Sequence, residues 1–181
     1  LGDVQLMVAS EVYFLRAEGA LRGWNMGGTE QDLYEDGIRM SFAQHGLGGA
    51  DAYIADNSST PIDYVDAFNA SNNAAALSST TIAWDAAASM DVKLEKIITQ
   101  KWIAMFPDGQ EAWSEYRRTG YPALFPVVIN NSGGEIDTDE QIKRIKYISS
   151  EYAQNPGGVA AGVTCLGGPD TGGTPLWWDV D

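Results

Sequence analysis

Glu111 and Glu115 are the residues whose spacing first invites a chemical reading. They lie one helical turn apart, and glycoside hydrolysis needs two carboxyl groups about 5–9.5 Å apart across the bond to be broken. The same spacing is common on any solvated helix face, and basic residues stand beside both, so ion pairing is the favoured use and no catalytic residue is assigned. His45, the only histidine, ends a helical pattern, where positive charge suits the dipole; it reads as a cap rather than a base or metal ligand. Cys165, the only cysteine, sits in a glycine-rich stretch without a histidine partner and reads as an inert thiol that says nothing of compartment. Asp137, Asp139 and Glu140 resemble half of a calcium loop but lack its glycine and closing glutamate. The paired glycines at 133–134, 157–158, 167–168 and 172–173 lack the Lys-Ser/Thr and helix start of a phosphate cradle. No metal and no cofactor is expected.

The elements that would position these groups are mainly helical. From Leu94, an apolar stripe of Leu94, Ile97, Ile98, Trp102, Met105 and Phe106 recurs at helical spacing. Pro107 ends it, and Asp108 caps a second helix with Glu111 placed to reach back as in a capping box. Ala112, Trp113 and Tyr116 form that helix's apolar side, Arg117 and Arg118 suit its last turn, and Gly120 with Pro122 stops it. Upstream, a helix apolar on nearly all sides is expected over Asp3 to about Gly23, with Glu11 as a structural anchor and Glu18 and Arg22 as an i, i+4 pair. Thr29 and Asp32 open the next helix, buried through Tyr34, Ile38 and Phe42; Gly37 permits close approach of the first helix and Gly46 closes it. Two such helices form a hairpin of the tetratricopeptide kind, which needs further helices alongside.

Three separated stretches carry a resemblance. ITQKWIAMFPDGQEAWSEYRRTGYP at Ile98–Pro122, SEVYFLRAEGALRGW at Ser10–Trp24 and LWWDV at Leu176–Val180 resemble, in order, the C-terminal part of the SusD/RagB family. These are surface lipoproteins that capture nutrients for TonB-dependent transporters in the outer membrane of Bacteroidetes-type bacteria. The resemblance implies a mainly α fold of tetratricopeptide-like hairpins with long irregular loops and little β. Its expected parts are a helical hairpin at 3–46, a variable loop region at 47–90, a helical corner at 91–120 and an irregular segment at 121–181. It further implies an outward-facing protein of the outer membrane, not an enzyme, that hands oligosaccharide, or alternatively peptide, to a SusC-type transporter. The N-terminal part and the lipid that would attach it to the membrane are expected to lie outside this chain. A tetratricopeptide-like scaffold that binds only protein is the rival reading.

Composition narrows the ligand. A net charge of −14 and a pI near 4.2 oppose nucleic acid, whose phosphates would be repelled. No run approaches the ~20 apolar residues of a membrane-spanning helix. Sugars present apolar C–H faces ringed by hydroxyls, and are held by exposed aromatic rings flanked by amides. The 47–90 region, rich in Gly, Ala, Ser, Asn and Asp, holds such parts: Tyr53, Tyr64 and Trp84 with Asn69 and Asn72. One short helix is expected near Pro61–Phe68. Leu124–Ile129 and Ile142–Tyr147 are expected to pair as a small irregular β element, and Trp177 and Trp178 to pin the terminus onto the helical body.

Overall fold

The computed structural model describes residues 6–179, and among them seven α-helices and one 3₁₀ turn form, with no strand beyond two isolated bridges. The mainly helical expectation holds. The chain divides into two units: Leu1–Ile62 with Leu77–Leu124, and Asp63–Ala76 with Phe125–Asp181.

In the first unit, α1 (Ala9–Leu21) and α2 (Glu30–Gln44) form the hairpin. Thr29 caps α2 by accepting the Asp32 amide, while its hydroxyl donates to the Asp32 carboxylate at 2.7 Å. Gly37 is required where the helices cross: a Cβ there would stand 2.7 Å from Phe14 Cε1. Gly46, at φ +65°, ends the second helix in the left-handed conformation. The short α3 (Ala50–Ile54) follows, then α4 (Met90–Ala104), capped by Ser89, and α5 (Gly109–Thr119), capped by Asp108 and closed by Gly120 at φ +71°. Phe14, Ala17, Leu33, Tyr34, Ile38, Ile54, Ile97, Ile98 and Ala104 make the core, each large aliphatic side chain contributing about 1.5–3 kcal/mol by leaving water. The Tyr34 hydroxyl donates to the Ile82 carbonyl at 2.7 Å, which satisfies its one buried polar atom.

Several boundaries differ from expectation. The first helix starts at Ala9 rather than Asp3: Val8 is extended, at φ −103° and ψ 149°, Leu6 and Met7 are not helical, and residues 3–5 lie outside those described. An apolar run specifies burial but not where a helix begins. That helix buries one face in this unit, since Val12 and Leu15 are exposed. Phe106 is exposed too, because α4 ends at Ala104 and the corner turns the ring away from the stripe. Glu111 does not complete a capping box; its carboxylate goes to Lys101 instead.

The second unit is built from loops and two helices, α6 (Ser149–Gln154) and α7 (Pro156–Leu166). The expected helix near Pro61–Phe68 does not form, because Asp63 and Asp66 bind loop amides with their side chains and so compete with helical bonding. The expected β pairing is absent among the described residues. Lys143 and Arg144 donate their amides to Gly172 rather than to residues 124–129. Helix α7 forms within the segment expected to be irregular: Gly157, Gly158 and Gly162 resemble a loop, but Asn155 caps the helix and Pro156 stands at its first position, where a missing N–H costs nothing. Trp177 is 88% exposed and pins nothing, whereas Trp178 is partly buried. Val180 of the third motif lies outside the described residues.

Candidate functional site

The carboxylates that prompted a hydrolytic reading converge on one cation. Lys101, 1% exposed, places Nζ 2.5 Å from Glu115, 3.2 Å from Glu111 and 3.8 Å from Glu11. Arg118 takes the other oxygen of Glu115 and grips Glu18 through both of its oxygens, at 2.7 and 2.6 Å. Burial would raise the Glu18 carboxyl, but the bonds from Arg118 and Arg22 outweigh it and hold the group below its ordinary value. Glu11 goes the other way: burial raises it more than the Lys101 charge lowers it. The network ties α1, α4 and α5 together, and Glu111 and Glu115 are both committed to cations within it. Asp137 likewise spends Oδ1 on the amides of Asp139 and Glu140, at 2.8 and 3.0 Å. No group of three or more metal-donor side chains is close enough to hold an ion among the described residues.

Of the candidate ligand contacts, Tyr53 and Trp84 are partly buried against the core of the first unit. The Tyr53 hydroxyl shares a hydrogen bond with Gln100, its ring packs on Phe42 at 5.4 Å, and Trp84 packs on Tyr34 at 5.1 Å. Tyr64, Asn69 and Asn72 belong to the second unit, and there Tyr64 and Asn72 come together. They line an open recess of about 290 Å³ with Phe125, Pro126, Val127, Val128 and Ile129. Tyr64 packs on Phe125 at 5.8 Å.

The loop bearing these residues is held by its own polar groups. Tyr64 and Ala74 exchange backbone bonds of 2.9 and 3.1 Å, and Asp63 accepts the Ala76 amide at 2.9 Å. Asp66 is the hub: Oδ1 accepts the amides of Phe68 and Asn69, Oδ2 accepts the Asn72 side chain at 2.8 Å, and its own amide donates to Asn73. The Asn72 bond, with those amides, holds the Asp66 carboxyl below the usual range. Asn69 caps the 3₁₀ turn Ala70–Asn72 by accepting the Ser71 amide. Phe68, 100% exposed, stands out from this loop. Sequence reasoning places Phe68 in a short helix and 124–129 in a β pairing, and so assigns neither to the site; the signals were an isolated phenylalanine among Asn and Ala and an apolar, β-branched run.

The arrangement offers apolar rings and aliphatic side chains beside amides, a surface for non-covalent recognition. The family model for SusD-like proteins, described as "Susd and RagB outer membrane lipoprotein", matches residues 2–179. No curated protein matches the chain. Among solved structures, a chitin-binding SusD homolog from Flavobacterium johnsoniae is similar at 64% identity and a TM-score of 0.92, covering 97% of this chain and 36% of its own. A SusD homolog from Bacteroides uniformis follows at 47% identity and TM-score 0.91, covering 98% and 37%. A SusD-like protein from Bacteroides thetaiotaomicron stands at 45% and 0.89, covering 96% and 36%. The chain thus spans little more than a third of the length of these relatives. With the family model running over nearly its whole length, the chain belongs to the SusD-like family of outer membrane lipoproteins.

Proposed function

We propose that this chain is part of a non-catalytic protein on the outer face of the outer membrane, which captures a chitin-type oligosaccharide and delivers it to a SusC-type TonB-dependent transporter. The observation that carries this reading is the 64% identity with a chitin-binding homolog over 97% of the chain. The acidic composition supports a neutral ligand over a phosphorylated one. The recess beside Tyr64 and Asn72 supplies contacts of the kind a sugar uses, an aromatic ring and a carboxamide. Capture and transfer need only a shift in population: a ligand that contacts both the binding protein and the transporter stabilises the closed arrangement of the two.

The test is native gel retardation of the full-length protein through gels containing glycol chitin, other soluble polysaccharides or none, with a peptide panel run by calorimetry. Retardation by glycol chitin, together with copurification of a TonB-dependent transporter from outer membranes, is the expected result. Binding confined to peptides would overturn the oligosaccharide reading, and binding to a protein partner alone would favour the scaffold reading.

A further inference from the structure

Phe68 is a fully exposed phenyl ring on a loop whose backbone is pinned at both ends and at its hub. Nothing in this unit is packed by that ring, yet the Asp66 carboxylate that fixes its amide also fixes Asn72, which lines the recess. Because the backbone that carries the ring is fixed before a ligand arrives, stacking on Phe68 costs only the freedom of its own side chain, and its apolar area goes into binding. Val127, Val128 and Ile129, all partly exposed, give the recess an aliphatic stretch of wall beside its polar lining. A plain sugar hydroxyl directed at such a wall would lose water without gaining a partner. A methyl group would gain by the same placement.

We propose that loop 63–76 and segment 125–129 form a subsite for an N-acetylated hexose. The acetamido methyl seats against Val127, Val128 and Ile129. Asn72 has its Nδ2 on Asp66, and its carboxamide oxygen meets the acetamido N–H. Phe68 stacks on the C–H face of the ring. The inference rests on the oligosaccharide reading above and adds to it the source of selectivity: the acetamido group, not the β-linked backbone, is what this surface reads.

Chitopentaose and cellopentaose share a backbone and differ in that group, so calorimetry of the full-length protein with each isolates the claim. The wild type is expected to prefer chitopentaose by about tenfold or more, the scale on which apolar pockets discriminate a small apolar group. Phe68→Ala should weaken chitopentaose binding about tenfold and Phe68→Trp should restore it. Val128→Asp, at a partly exposed position and checked for an unchanged melting temperature, should reduce the preference between the two sugars to below about threefold. Wild-type affinity and preference in both Phe68→Ala and Val128→Asp would overturn the subsite while leaving capture intact, as would equal binding of the two sugars by the wild type. Binding of neither sugar by the wild type would overturn the chitin reading itself, and the subsite with it.

Discussion

Arg118, in the last turn of α5, clasps Glu18 of α1 through two parallel hydrogen bonds of 2.7 and 2.6 Å, joining residues one hundred positions apart. Planar guanidinium on planar carboxylate is the strongest geometry a side-chain ion pair adopts. Here it closes the helical corner back onto the first hairpin, and it recruits both a residue that reads in sequence as a helix-end cation and one that reads as half of a local pair.

Glu18→Gln should therefore cost about 1–3 kcal/mol, less than the ~3–5 kcal/mol of a fully buried pair because the Arg118 side chain is 40% exposed. The folded carboxyl lies below its ordinary value of 4.5. Its stabilisation is complete above that value and is lost as pH falls through the lowered one. Urea unfolding of wild type and variant should show a gap at pH 7 that narrows on acidification below pH 4.5.

Glu11 should behave oppositely. Its carboxyl is raised by burial, so the stability it contributes is present below 4.5 and is lost as pH rises through the raised folded value. Glu11→Gln, which keeps the shape without the buried charge, is expected to unfold at higher urea than wild type at pH 7, with the advantage vanishing at low pH. A variant less stable at pH 7 would show that the attraction to Lys101 outweighs desolvation.

Gly37→Ala tests the helix crossing. Alanine is the better helix former by about 1 kcal/mol, but its Cβ would stand 2.7 and 2.8 Å from Phe14 ring atoms. Overpacking of this kind costs about 1–3 kcal/mol, so thermal unfolding should shift downward. An upward shift would mean that Phe14 yields freely.

Asp66→Ala removes the hub of loop 63–76. Amide hydrogen exchange should accelerate at Phe68 and Asn69, whose amides donate to that carboxylate, while the core helices α2 and α4 keep their protection. Unchanged exchange at those amides would show that the Tyr64–Ala74 pairing alone orders the loop.

The features legible in the sequence follow short-range rules. The Thr29 cap, the Asp108 cap, the Gly120 stop and the small residue at Gly37 each express a local backbone or steric demand visible within a few positions. The pairing of Glu115 with Arg118 inside α5 follows the same rule, but the bonds of Lys101 to Glu11 and Glu115 and of Arg118 to Glu18 were not legible, because those carboxylates arrive from another helix. Helix α7 was hidden by glycines that its Asn155 cap and Pro156 start override. The recess escaped for a related reason. Tyr64 and Phe125 are far apart in sequence and meet only through the fold, and a β-branched run such as Val127–Ile129 reads as a strand, whereas among the described residues it joins no ladder and the Val127 amide donates to the lone Thr138 carbonyl.

The most direct measurement of the account is a calorimetric titration of chitopentaose into the full-length protein, followed by mass spectrometry of the recovered sugar. Capture without chemistry predicts saturable binding and a pentasaccharide returned intact after prolonged incubation. Shortened products would contradict the non-catalytic reading, and the absence of any binding heat at several temperatures would contradict capture of this ligand.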